Sequence, residues 1–164
     1  MSARWLFAIG MLAFSAGCSS KDAALAPTSV TLTFPSTEAA VASDSVQIQV
    51  FDETAADPSN LSAACEDLVA QARSSQALPA PLVDVSTSAC ALQSGDDPVT
   101  VGVGVRAFLV TATSNGTALL IGCTVESVEG GSLLVPIDLV PLSDAVVVPP
   151  TTCTALSQHC SGGC

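Results

Sequence analysis

The dipeptide Asn115-Gly116, set between two apolar runs, constrains this chain more than any other feature. Asn and Gly are the residues that best tolerate the left-handed backbone of a tight primed turn, so the pair marks a β-hairpin. A two-residue connection also fixes which residues face each other. Ser114 then opposes Thr117, Ala112 opposes Leu119, Val110 opposes Ile121 and Phe108 opposes Cys123. In that register Phe108, Val110, Ala112, Leu119, Ile121 and Cys123 share one apolar face, expected to meet the core. The other face carries Ala107, Thr111, Thr113, Gly122 and Thr124, with Leu109 and Leu120.

Period-two alternation recurs along the chain. Val30, Leu32 and Phe34 alternate with Thr31 and Thr33, and Val46, Ile48 and Val50 alternate with Gln47 and Gln49. Such runs read as strands with one buried face and one wet face. Val99, Val101, Val103 and Val105 form a further run, and Pro81–Val85 a short one. Leu133, Val135, Ile137 and Leu139 make another, but Pro136 has no ladder donor, which places that run at a sheet edge. One segment breaks the pattern. Leu61, Cys65, Leu68 and Ala72 make a helical stripe, with Asp57-Pro58 as its start and Ser74-Ser75 as its end. About seven strands over residues 28–142 fit an all-β fold, a two-sheet antiparallel sandwich of the immunoglobulin-like or transthyretin-like kind with one short helix. The helix is expected to lie across an end or face of the sheets.

The rest of the chain divides into an address, a tether and a tail. Arg4 precedes the apolar or small run Trp5–Gly17, thirteen residues long. That is too short to span a bilayer, which takes ~20 residues. It matches the apolar core of a signal peptide, expected over residues 1–17. Ser15-Ala16-Gly17-Cys18 resembles the lipobox of bacterial lipoproteins, departing from it at Ser15, where leucine is commoner. The resemblance implies that Cys18 carries lipid and anchors the protein to a membrane. Ser19, in place of a retaining aspartate, implies the outer membrane. Residues 18–27 read as a tether, and residues 143–164 as a Pro-containing linker with a Cys-rich tail.

Composition narrows the function. From residue 18 onward the chain has three basic side chains, Lys21, Arg73 and Arg106, against fifteen acidic ones, a net charge of −12. Nucleic acid is therefore not an expected partner, because phosphate binding needs clustered Lys and Arg. The same stretch has no Trp, Tyr or Met, and the single histidine is His159. A Ser–His pair would have to use that tail histidine, and no G-x-S-x-G elbow is present. Arg106 reads as a strand-end arginine paired with a carboxylate rather than as an anion grip. The chain is not expected to be an enzyme.

Cysteine is the most informative remaining type. Besides Cys18 there are six: Cys65, Cys90, Cys123, Cys153, Cys160 and Cys164. In an exported chain an even number reads as up to three disulfides, and six cysteines allow fifteen pairings. A Cys65–Cys90 bridge is the simplest expectation, with at least one bridge inside the tail. Cys153, His159, Cys160 and Cys164 also suggest zinc. Their spacing lacks paired C-x2-C knuckles, so no metal or other cofactor is expected. Asp52, Glu53 and Asp57 in one loop, and Asp96-Asp97 in another, lack the ligand ladder of a calcium loop and read as solvated.

Arg106-Ala-Phe-Leu-Val110, the turn, and Leu119-Leu-Ile-Gly-Cys123 resemble segments of uncharacterised bacterial lipoproteins with an immunoglobulin-like or transthyretin-like sandwich. The ending Cys160-Ser-Gly-Gly-Cys164 is similar in character to their tails. The resemblance implies a module of the bacterial cell envelope and carries no catalytic residues. The expectation is an exported, lipid-anchored envelope protein with a structural or protein-interaction role and an envelope protein as partner. The alternative is a small-ligand or carbohydrate-binding module, with or without calcium.

Overall fold

The computed structural model describes residues 24–53, 60–95 and 99–164. Their order is β1 (Leu25–Thr33), α1 (Thr37–Ala42), β2 (Ser45–Asp52), α2 (Leu61–Arg73), β3 (Val83–Thr87), α3 (Ala89–Ser94), β4 (Val99–Gly102), β5 (Gly104–Ser114), β6 (Thr117–Val128), β7 (Leu133–Asp138), β8 (Val140–Pro141) and α4 (Leu156–Cys160). The strands form two sheets, ordered β4-β1-β7 and β3-β2-β5-β6-β8. The all-β, two-sheet reading therefore holds, with three corrections. Four short helices are present among the described residues, not one. The sheets are not wholly antiparallel, because β1 runs parallel to β7. Residues 25–27 belong to β1 and not to a tether, since Leu25, Ala26 and Pro27 pair with Gly102, Val101 and Thr100.

The core lies between the sheets. Val46, Ile48, Val50, Phe108, Val110 and Ala112 from the larger sheet meet Ala26, Val30, Val101, Val135 and Ile137 from the smaller. This is what the alternation demands, since every second residue of these strands is apolar. Pro136 is exposed on β7, an edge strand, as its missing N–H requires.

The valine run of residues 99–105 is not one strand. β4 lies in the smaller sheet and β5 in the larger, so the chain changes sheets at Val103 and Gly104. Gly104 has φ 129°, a backbone region open to glycine and strained for other residues. Val99 and Val101 reach the inter-sheet core while Val103 and Val105 are only half-buried, and period two cannot reveal such a corner because the alternation of residue types runs on across it.

The hairpin forms at Asn115-Gly116, with φ of 48° and 76°. Its register holds through Ser114↔Thr117 and then shifts at a bulge, so that Ala112 faces Leu120 and Leu109 faces Cys123. Leu119 is the extra residue. A one-residue slip turns every later side chain of a strand to the other face. Leu119 and Leu120 thus both join the inter-sheet core, while Ile121 and Cys123 point away from it. The expected grouping of Ile121 and Cys123 with Phe108 and Val110 is corrected accordingly.

That outer face is covered as well. Phe51, Ala107, Leu109 and Ile121 pack against Leu68 of α2, with Val69, Ala72 and Val125 around them. The molecule has three layers here, small sheet, large sheet and helix. Of the stripe expected on α2, Leu68 is buried and Leu61, Cys65 and Ala72 are half-buried. The helix begins at Leu61 with Asn60 as N-cap residue, and Asp57 and Pro58 lie outside the described residues. It ends as expected at Ser74-Ser75, where Ser75 takes φ 55° and Gln76 N–H bonds the Gln71 carbonyl at 2.9 Å.

Candidate functional site

Three cysteine pairs fasten α2, α3, α4 and the tail. The expected Cys65–Cys90 bridge does not form. Cys65 of α2 bonds Cys123 of β6, Cys90 of α3 bonds Cys160 of α4, and Cys153 bonds Cys164. The first pairing follows from the bulge, which turns Cys123 toward the helix. The third is the expected bridge within the tail. None of the three joins one sheet to the other. Cys18 lies outside the described residues.

The tail is docked, not a free linker. Val146, Val148 and Leu156 pack on the inter-sheet core, and Cys153 is buried. α4 rests on α1 and α3. Two serines start the helices beside it. Ser36 Oγ accepts from Ala39 N–H and Ser88 Oγ accepts from Ala91 N–H, both at 3.1 Å, each filling an orphan donor of the first turn. α1, α3, α4 and the tail thus form a helical cap on the sandwich.

Between this cap and β1, with Leu134 of β7 also in its lining, lies a groove of about 480 Å³. Its apolar wall includes Phe34, Leu92, Leu134 and Leu156, and its polar groups include the Thr31 hydroxyl and the Gln93 amide. Leu134 is 63% exposed on the β7 edge strand. Among the described residues, none that lines it is ionisable. A second opening, about 390 Å³, lies where edge strands β3 and β4 part, lined by Ile48, Val83, Val85, Thr87, Val99 and Thr100.

The charged candidates behave structurally. Arg106 and Asp52 are direct partners in the β2–β5 register, with Nη1 to Oδ1 at 2.6 Å. Arg106 Nε also donates to the Gly102 carbonyl at 3.0 Å, and Nη2 donates to the Val103 carbonyl. The guanidinium therefore ties down the corner where the chain leaves one sheet for the other. Asp52 is committed to this arginine rather than offered to a cation. Of the other calcium candidates, Glu53 donates its N–H to the Val105 carbonyl at 3.0 Å, and Asp57, Asp96 and Asp97 lie outside the described residues. Asp84 accepts from the amides of Gln47 and Gln49 at 2.8 and 3.1 Å.

Of the four residues raised as zinc ligands, Cys160 is separated by its bond to Cys90. Cys153, His159 and Cys164 are brought together, with one ligand atom from each within 4.8 Å of the others. The Cys153–Cys164 bond ties up both of their sulfurs. No helix among the described residues is long and apolar enough to cross a membrane. Searches against protein-family models, curated proteins and solved structures returned no match. The groove was not legible in the sequence, because its wall is drawn from β1, β7, α3 and α4 and depends on pairings that spacing does not reveal.

Proposed function

We propose that this is an exported, lipid-anchored protein of the bacterial envelope, most directly of the outer membrane, whose sandwich binds another envelope protein. The observation that carries the binding role is the groove beside β7. It offers apolar side chains, hydroxyls and an amide to a docking segment. An exposed leucine on an edge strand gives a partner both apolar area and free backbone groups. Three disulfides suit an oxidising compartment. The Ser15-Ala16-Gly17-Cys18 segment supports lipid on Cys18. In fold type we read the sandwich as immunoglobulin-like or transthyretin-like, a reading supported by two face-to-face sheets within about a hundred residues.

Two measurements test this reading. A fatty-acid analogue fed to cells making the protein should label the wild type and leave Cys18→Ser unlabelled. Equal labelling of both overturns the anchor. A photo-crosslinking residue at Leu134 should capture a discrete partner in intact cells, while one at Glu66, on the exposed side of α2, should not. Equal products from both positions would contradict a docking groove. The groove's volume favours a second reading, since small-molecule sites run from ~300 to ~1,000 Å³. A screen of lipids and glycans, with and without a calcium chelator, separates the two readings, and a hit that Leu134→Asp abolishes would favour the ligand.

A further inference from the structure

We propose that the tail holds a redox-gated zinc site, closed while Cys153 and Cys164 are bonded and opened by their reduction. The ligands are the Cys153 and Cys164 sulfurs and an imidazole nitrogen of His159, already within 4.8 Å of one another. Thiolate and imidazole are the donors zinc prefers, and two sulfurs with one nitrogen leave a fourth tetrahedral position for water. Sulfurs at two corners of such a tetrahedron stand roughly 3.7 Å apart, given Zn–S bonds of ~2.3 Å. Cys153 and Cys164 have Cα atoms 5.5 Å apart, so rotation of exposed Cys164 reaches that separation without refolding the tail.

The local backbone keeps the ligands together when the bridge opens. α4 ends in a full Schellman turn, with Gly162 at φ 73° donating to the His159 carbonyl and Gly163 donating to the Gln158 carbonyl, each at 2.9 Å. This turn folds Cys164 back beside His159. Cys160, next to His159, stays bonded to Cys90 and holds α4 against α3. Opening Cys153–Cys164 releases only a short arm. Cys65–Cys123 and Cys90–Cys160 instead tie helices across long stretches of chain, joining residues 58 and 70 positions apart against 11 for the tail bridge. The tail bridge is therefore the one whose reduction costs the fold least.

The chemistry balances with a dithiol as reductant. The dithiol gives two electrons and two protons and becomes a disulfide itself. The Cys153–Cys164 sulfur–sulfur bond breaks and each sulfur takes one proton. A zinc ion then displaces one proton from each thiol and binds the neutral imidazole, so the site is uncharged when filled.

The test uses the full chain. Graded dithiol treatment, alkylation and mass mapping should show Cys153 and Cys164 free while the other two bridges remain. That partly reduced protein, freed of dithiol without air, is titrated with zinc against a chromophoric chelator. It should bind one zinc ion per chain. The oxidised protein and a Cys153→Ser/Cys164→Ser variant with its other bridges intact should bind none. His159→Ala should bind at least about tenfold more weakly, since even groups that only support a ligand cost that much when lost. Equal affinity in the oxidised protein, in the double serine variant or in His159→Ala would overturn the proposal. So would opening of Cys65–Cys123 or Cys90–Cys160 before the tail bridge.

Discussion

At Gly122 a single hydrogen decides whether two segments can meet. A Cβ there would sit 2.5 Å from the Asp138 carbonyl oxygen and 2.8 Å from Ile137 Cγ2. The first of these neighbours is backbone, so β7 would have to move away from β6. Gly122→Ala is expected to destabilise the protein by about 2–3 kcal/mol, the scale of overpacking a filled core, as read from urea unfolding midpoints. An unchanged midpoint would mean that the two segments approach less closely. Arg106 makes the complementary case. Its side chain is 9% exposed while that of Asp52 is 56% exposed, so the two halves of the pair are not equivalent. Arg106→Met leaves carbonyls at the sheet corner without their donor and should cost about 2–3 kcal/mol. Asp52→Asn removes a solvent-screened charge and should cost no more than about 1 kcal/mol. Equal losses in the two variants would place the arginine's contribution in the ion pair rather than in the corner.

The elements show which part of the fold a sequence can display. Alternation in β1, β2 and β7 is a local property, and period two selects their buried residues except Phe51, which ends β2 on the α2 side of the sheet. The Asn115-Gly116 turn is local too. The bulge at Leu119 is not. It inserts one apolar residue among other apolar residues, so the hydrophobic pattern is equally satisfied in either register. Once it is present, Cys123 must look for its partner on the α2 side, which is why proximity in sequence misassigned Cys65. The helices α1, α3 and α4, with five or six residues each, are too short to show a stripe. Ala39, Ala89, Leu92 and Leu156 pack them on the inter-sheet core, and Cys90–Cys160 joins α3 to α4. α2 is long enough to show one, and its burial is testable. Leu68→Ala should cost about 2–4 kcal/mol, the range for a buried leucine emptied to a cavity, and should increase hydrogen exchange in α2 before the inter-sheet core. Exchange rising first in β1 or β7 would contradict a separate helix-covered layer.

As a whole the molecule is a small sandwich held at its margins. Its inter-sheet core contains no disulfide, and each bridge fastens a peripheral piece: α2 to the large sheet, α3 to α4, and the two ends of the tail to each other. Chain-entropy arithmetic gives roughly 4 kcal/mol for each of the two long-range bridges and roughly 3 kcal/mol for the tail bridge. That arrangement leaves the sheets' edges and the groove beside Leu134 open while fixing the cap that shapes them. The proposed docking groove and zinc site both depend on this stapling pattern. It is tested most directly by mass mapping of the unreduced protein, purified from cells with free thiols blocked at lysis. The expected result is three linkages, Cys65–Cys123, Cys90–Cys160 and Cys153–Cys164. A Cys65–Cys90 linkage, or Cys123 recovered as a free thiol, would contradict the three-layer fold.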